Sequence, residues 1–455
     1  MSRHYYFIGI GGIGMSGIAQ LMLGRGERVS GSDLKESRAT RELRELGAQI
    51  HIGHRPENIK GADLVVYSSA IEEDNPEMLE ARKRGITLMK RAEALARLMQ
   101  DKTVITVSGS HGKTTTTSLV SYLLIEAGLS PTVAIGGILK NIDNNAYLGR
   151  GKYFVAEADE SDGSFLYYNP TYSILTNIDH EHLDYYINFD VEVSAFGKFV
   201  EKTAKNGCVF ACSDDKNLYR IINDYKGRKV TFGLNRPADI FPRNIKLDGL
   251  RSEFDCIYKG QSIGRFNLAL GGAHNISNAL SVIALGLELG VDLSFIRKTL
   301  EQYKGAGRRL EVKFNGKDIM IIDDYAHHPT EIMATLSAIK NLKQKRIICA
   351  FQPHRYTRTK LLLNEFVTSF NDVDHIIITD IYPASEPPIE GITGELLYNK
   401  IKDYYKYKKV IFLPRNEIKD YVLNQLMAGD IFLTLGAGDI IKVNDELVEE
   451  FKRQG

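Results

Sequence analysis

At 455 residues the chain is longer than one hydrophobic core usually supports, so two to four domains are expected. Hydrophobic residues at 43% and charged residues at 25% match a soluble globular protein. A formal net charge of +1 with no basic tail excludes nucleic acid or an anionic membrane as the main partner. Cys208, Cys212, Cys256 and Cys349 are scattered, without a CxxC pair or a disulfide-framework spacing, and Cys208 and Cys212, flanking the strand-like VFA, read as buried thiols rather than metal ligands.

Along the chain, short apolar runs alternate with amphipathic stretches, the pattern of parallel α/β sheets. Tyr5–Ile10 predicts the first strand, Met15–Leu23 a helix and Leu64–Ser68 another strand. The opening MSRHYYFIGIGGIGMSG thus runs into a fold motif, and it reads as neither a signal peptide nor a membrane span. No apolar run reaches the roughly 18 residues of a membrane-spanning helix, so a cytoplasmic protein is expected. A second cycle has a strand at Lys102–Ser108, a helix at Thr115–Ala127, and strands at Tyr153–Ala156 and Tyr172–Thr176. A third has strands at Ile319–Ile322, Arg346–Phe351, His375–Thr379, Lys409–Leu413 and Ile431–Leu435. Three cycles predict domain boundaries near residues 100 and 308.

Two phosphate-binding motifs open the first two cycles. Gly9-Ile10-Gly11-Gly12-Ile13-Gly14 lies between a strand and a helix, the context in which GxGxxG carries meaning. The glycines permit a tight turn, close approach of a diphosphate, and a helix N-terminus aimed at the anion. Asp33, roughly 20 residues on, is placed to take a ribose diol. Taken alone, this turn favours NAD or FAD. Gly109-Ser110-His111-Gly112-Lys113-Thr114-Thr115 follows the next strand and opens a helix. Here successive backbone N–H groups are expected to cradle phosphates, Lys113 to face the β and γ oxygens, and a threonine hydroxyl to bind Mg²⁺. The full Walker pattern puts a glycine at 107, where this chain has Val107. Two such motifs on separate sheets do not suit a simple dehydrogenase, but a nucleotide-activated substrate plus ATP explains both.

The compact form GSHGKTTTT resembles the Mur ligases, and further motifs match that family in order over essentially the whole chain. The resemblance implies three α/β domains. These are a Rossmann-like domain binding a UDP-sugar (1–100), a P-loop domain binding ATP (101–308) and a Rossmann-like C-terminal domain binding an amino acid (309–455). Glu157, in EADESDG, corresponds to the family's Mg²⁺-binding carboxylate, and Thr114 with Glu157 is a plausible protein share for a hard cation. In NIDHEHLD, His182 corresponds to the histidine beside a second Mg²⁺, while His180 stands where the family usually has proline. In HNISNA, Asn275 and Asn278 correspond to the adenine side; three residues apart, they share a face of a helix. Arg308 or Arg309 is expected at the ATP γ-phosphate, with Arg308 favoured, and Asp324 on the ribose and phosphate side.

For the UDP-sugar, the resemblance implies Gly11, Gly12, Ile13, Gly14, Asp33, Ser69 and Ala70, the last two at the strand end Ser68–Ile71. For the amino acid it implies His327, His354 and Arg355. The stretch FQPHRYTRT and the pair His327-His328 resemble the alanine-adding branch. The implied substrates are ATP, UDP-N-acetylmuramate and L-alanine, with Mg²⁺ as cofactor and no nucleic-acid or membrane partner. The expected catalytic group is Lys113, Glu157, His182 and Arg308, acting in amide-bond formation through an acyl phosphate. A monomer or weak dimer is expected, and Lys198 receives no role as a carbamylated lysine. The rival readings are the murein-peptide recycling ligase or another sibling, an NAD-dependent oxidoreductase, and a non-catalytic P-loop ATPase.

Overall fold

A computed structural model describes residues 2–182, 185–235, 237–342 and 346–453. The chain divides into two compact units. The first comprises residues 1–241, 257–263 and 277–304, and the second residues 242–256, 264–276 and 305–455.

The first unit opens with a five-stranded parallel sheet of β1 (His4–Ile8), β2 (Arg28–Asp33), β3 (Gln49–Ile52), β4 (Leu64–Tyr67) and β5 (Thr87–Lys90). Their order is β3-β2-β1-β4-β5. The order reverses between β1 and β4, so the crevice at their carboxyl ends is the switch point where open α/β sheets bind ligands. The Gly-rich turn lies there. β1 is buried along its whole length, as a strand covered on both faces must be.

Next come β6 (Thr103–Ser108), β7 (Thr132–Leu139), β8 (Asn144–Tyr147), β9 (Tyr153–Glu157), β10 (Tyr172–Leu175), β11 (Cys208–Cys212) and β12 (Lys229–Phe232). They are ordered β12-β11-β10-β6-β9-β7-β8 and are parallel except for the β7–β8 hairpin. The central position of β6 puts the loop at 109–112 between the carboxyl ends of β9 and β10. The hairpin packs on the helix Ile13–Gly24: Asn145 Nδ2 donates to Ile13 O at 2.5 Å. Three long strands that the sequence reading did not anticipate follow: β13 (Ile240–Asp248), β14 (Arg251–Tyr258) and β15 (Gln261–Leu268).

The second unit contains β16 (Glu311–Gly316), β17 (Ile319–Asp324), β18 (Arg346–Phe351), β19 (His375–Ile378), β20 (Lys409–Phe412) and β21 (Asp430–Leu435), ordered β16-β17-β21-β18-β19-β20. Only β16 is antiparallel to its neighbour. Alternation along the strands builds a core on each face: Met320, Ile322, Cys349 and Phe351 on one, Ile321, Ile348, Ala350 and Phe432 on the other. All four cysteines are buried and free. No helix among the described residues is long and apolar enough to cross a membrane.

Candidate active site

The loop after β6 turns at Gly109 (φ 133°) and Gly112 (φ 83°), and the helix Lys113–Glu126 follows. Both positions need glycine on two counts, a left-handed backbone and the absence of room. A Cβ at 109 would collide with Thr176 Oγ1, and one at 112 would lie 2.7 Å from Asn278 Oδ1. The Ser110 N–H donates to Asn177 O at 3.0 Å and the His111 N–H to Asn177 Oδ1 at 2.8 Å. This narrows the expected cradle, since these two donors are spent on shaping the loop. The donors left for a phosphate are those of the first helical turn, at Lys113, Thr114 and Thr115, which have no intrahelical acceptor. His111 Nε2 meets Asp179 Oδ2 at 2.8 Å.

Lys113 Nζ donates to Gly109 O (2.6 Å), Ser110 O (3.2 Å) and Glu160 Oε1 (2.6 Å). Burial alone would lower the pKa of this ammonium, but the charge of Glu160, followed by Asp159, reverses that and raises it. Thr114 Oγ1 donates to Glu157 Oε1 at 3.0 Å, and the Gly136 N–H to Glu157 Oε2 at 3.0 Å. Burial pushes the Glu157 carboxyl up, against the pull of Lys113. A hydroxyl beside a half-buried carboxylate at a strand end is the oxygen donor set a hard cation takes, so these residues fit Mg²⁺.

His182 sits in a left-handed conformation (φ 56°), with Nε2 3.3 Å from Glu160 Oε1 and 3.5 Å from Glu181 Oε2. Burial lowers its pKa, but Glu160 outweighs that, and the net shift is upward. Leu183 and Asp184 of the same motif lie outside the described residues. Glu192, buried and without a hydrogen-bond partner among the described residues, faces this cluster. Burial, then the charges of Glu160 and Glu181, push its carboxyl up to about 8.

Asn275 and Asn278 lie on the helix Ala273–Glu288 and are both buried. Asn275 Nδ2 donates to Gly271 O at 2.8 Å, while Asn278 is the amide that limits space at Gly112.

In the first sheet, Gly9 and Ile10 donate to Ser32 O, both at 2.9 Å, and Gly11 N donates to Asp33 Oδ2 at 2.9 Å. Asp33 therefore closes the turn with one oxygen, in addition to any bond it makes to a ribose. Gly12 and Ile13 are exposed at the helix start, and Gly14 is half-buried. Ser69 and Ala70 are exposed in the turn after β4, beside Gly9, where Ile71 Cδ1 would lie 3.4 Å from an added Cβ.

In the second unit, Arg308 is fully engaged. Nε donates to Asp323 Oδ2 at 3.0 Å, Nη2 to Gly436 O at 2.6 Å and Nη1 to Gly438 O at 3.2 Å. Arg309 stacks over Tyr325 at 5.1 Å and lies 3.7 Å from Glu331. Asp324 accepts from Leu310 N (2.7 Å) and Ala326 N (2.8 Å), and burial pushes its carboxyl up to about 6.

His327, His354 and Arg355 gather past the ends of β17 and β18. The His327 and His354 rings meet edge to face at 5.6 Å, and His354 stacks on Tyr382 at 5.6 Å. Burial, then positive neighbours led by His327, push His354 down to about 2, so the ring is neutral. Arg358 Nη1 donates to His354 Nδ1 at 3.2 Å, which leaves the ring proton on Nε2. Arg355 is held in a strained backbone conformation (φ 71°) by its N–H bond to Tyr382 O at 2.9 Å. Its Nη1 is 3.9 Å from Glu386 Oε1.

Glu160, Asn177 and Glu386 are the partners that motif reading missed. Glu160 and Asn177 follow β9 and β10 within three residues, so strand-end position was the available signal. Glu386 had none, because its contact depends on a loop meeting another loop.

Comparison with known proteins places the whole arrangement. Residues 4–103 match the profile described as Mur ligase family, catalytic domain, residues 107–286 the Mur ligase middle domain, and residues 308–438 the Mur ligase, glutamate ligase domain. The chain is 47% identical over 447 residues to the UDP-N-acetylmuramate–L-alanine ligase of Geotalea daltonii, covering 98% of each chain. To the protein of that name from Aquifex aeolicus it is 46% identical over 450 residues, again covering 98% of each. The crystal structure of UDP-N-acetylmuramate-alanine ligase from Thermotoga maritima superposes with a TM-score of 0.86 at 30% identity, covering 99% of this chain and 100% of that one. A murein peptide ligase from Psychrobacter arcticus has the same fold, with a TM-score of 0.73 at 24% identity over 98% of both chains. Three profiles in consecutive order, with relatives alike over nearly the full length, make this chain a member of the Mur ligase family.

Proposed function

We propose that the chain joins L-alanine to the lactyl carboxylate of UDP-N-acetylmuramate, with ATP cleaved to ADP and phosphate, in peptidoglycan precursor synthesis. The carrying observation is the full-length similarity to relatives bearing that activity in their names, at 47% identity over 98% of the chain. The reading of three domains, 1–100 for the UDP-sugar, 101–308 for ATP and 309–455 for the amino acid, is supported by three separate sheets. The cytoplasm is the proposed compartment, because ATP and nucleotide-sugars are made there.

A carboxylate is a poor acceptor for an amine at neutral pH. Transfer of the γ-phosphoryl group of ATP to the lactyl carboxylate gives an acyl phosphate with a good leaving group. The alanine amine then attacks, and a tetrahedral intermediate collapses to amide and phosphate. Lys113, raised in pKa and therefore always charged, neutralises the transferring phosphoryl, and Arg308 or Arg309 is the second cation. Thr114 and Glu157 would hold Mg²⁺, with His182 beside a second ion, supplying further neutralisation of phosphate charge. Arg355 suits a bidentate grip on the alanine carboxylate, and the Nε2–H of neutral His354 donates to the same group.

The test is ADP release with ATP, UDP-N-acetylmuramate and, separately, L-alanine, glycine, L-serine and an L-alanyl tripeptide. The largest kcat/KM is expected for L-alanine. Turnover with the tripeptide and none with L-alanine would move the chain to the recycling branch.

A further inference from the structure

The Gly-rich turn has a neighbour from outside its own motif. Arg91 opens the helix Arg91–Leu98 immediately after β5, and its side chain lies against Gly14. A Cβ at Gly14 would come 3.1 Å from Arg91 Nη1 and 3.4 Å from its Cδ. Gly14 therefore leaves the space through which this guanidinium reaches the start of the helix Ile13–Gly24. On the far side, Nη2 is 3.3 Å from Asp159 Oδ2, two residues past the Mg²⁺ candidate Glu157. That is a long, one-pronged contact from a group whose fork can make two short bonds. Among the described residues it is the only protein acceptor for the Arg91 guanidinium, whose side chain is 22% exposed. Asn145 of the β7–β8 hairpin, in the same sheet as β9, donates to Ile13 O at 2.5 Å and ties the turn to that sheet.

A largely buried guanidinium with unspent donors, set against the backbone N–H groups of a helix start, calls for an anion. We infer that Arg91 binds the diphosphate of the nucleotide-sugar against Gly11–Gly14, with Asp159 orienting the guanidinium from the ATP side. The inference rests on the reading of this turn as the UDP-sugar site. It also gives Gly14 a reason that the motif lacks: the glycine makes room for an arginine.

The experiment compares wild type, Arg91→Gln and Gly14→Ala. UDP and Mg·ATP binding are followed by calorimetry, and uridine binding by ligand-observed NMR. In both variants UDP affinity is expected to fall about 10- to 100-fold, as for a lost charge-assisted pair. Uridine and Mg·ATP affinities should stay within about threefold, reporting an intact fold, since neither ligand places an anion at Gly14. Gly14→Ala reaches the same result with no change of charge, by displacing the guanidinium. UDP affinity unchanged in Arg91→Gln overturns the inference, as does an equal loss for UDP and uridine. Wild-type protein that binds neither UDP nor UDP-N-acetylmuramate overturns the site reading itself.

Discussion

Arg355 and Glu160 act through charge, and each can be tested by a single substitution. Arg355 is half-exposed, with Nη1 3.9 Å from Glu386 Oε1, and its planar guanidinium has the shape of a carboxylate grip. Arg355→Ala is expected to raise the alanine KM by about 2–4 kcal/mol in apparent binding and to leave UDP affinity unchanged. Steady-state kinetics with alanine varied at saturating ATP checks it, and a normal alanine KM removes Arg355 from the amino-acid site. Glu160 touches both Lys113 (2.6 Å) and His182 (3.3 Å), so it positions two proposed catalytic groups. Glu160→Gln keeps the shape and deletes the charge. We expect kcat to fall about 10- to 100-fold, or about 1.4–2.7 kcal/mol, with UDP affinity unaltered. Rapid-quench measurement of acyl-phosphate formation decides the matter, because a merely structural role would not slow that step selectively. The phosphate-loop motif pointed to Lys113, and the family resemblance to Glu157 and His182. Neither could reach Glu160, because the three carboxylates in EADES look alike until the fold turns one of them toward the lysine.

At the scale of an element, the loop–helix junction at 109–113 shows why a short motif is so constrained. Gly112 adopts φ 83° and leaves only 2.7 Å between an added Cβ and the Asn278 amide, so alanine meets both backbone strain and a clash. Gly112→Ala should destabilise the first unit by about 1–2 kcal/mol from the left-handed backbone alone. The clash adds to this, and Asn278→Ala should recover that added part. Urea unfolding of the two single variants and the double variant checks the coupling; strictly additive losses contradict it. The strands flanking this junction were legible in the sequence, since β6, β9 and β10 are short runs rich in β-branched and aromatic residues. β13, β14 and β15 were not. β13 and β15 are largely exposed without regular alternation, and none of the three carries a motif, so they were left unassigned.

For the whole molecule, buried neutral histidines set the response to acid. His375 opens β19 fully buried, and its Nδ1 has no hydrogen-bond partner among the described residues. Burial, then Lys409 and Arg346, push it down from an ordinary 6.5 to about 4. A depressed basic pKa means that the unfolded chain takes up a proton the folded chain refuses. The stabilising effect is present above pH 6.5 and is lost as pH falls toward about 4. Relative to His375→Gln, wild type should lose about 1.4 kcal/mol per pH unit across that window, measured by urea unfolding at pH 7, 6 and 5. Parallel pH profiles for the two proteins would refute the assignment. The sequence by itself determined the α/β class, the three strand–helix cycles, the two glycine-rich loops and the family, because glycines, lysine and threonines at set spacing are local demands of backbone and helix start. Only the tertiary structure decided which side chains serve those loops. Asn177 takes two of the loop's donors, Glu160 takes the lysine, and Arg308 spends its guanidinium on Asp323 and the carbonyls at 436–438. These partners are far apart in the chain and meet only because parallel strands bring their carboxyl ends to one edge of each sheet, a proximity that no spacing in the sequence encodes.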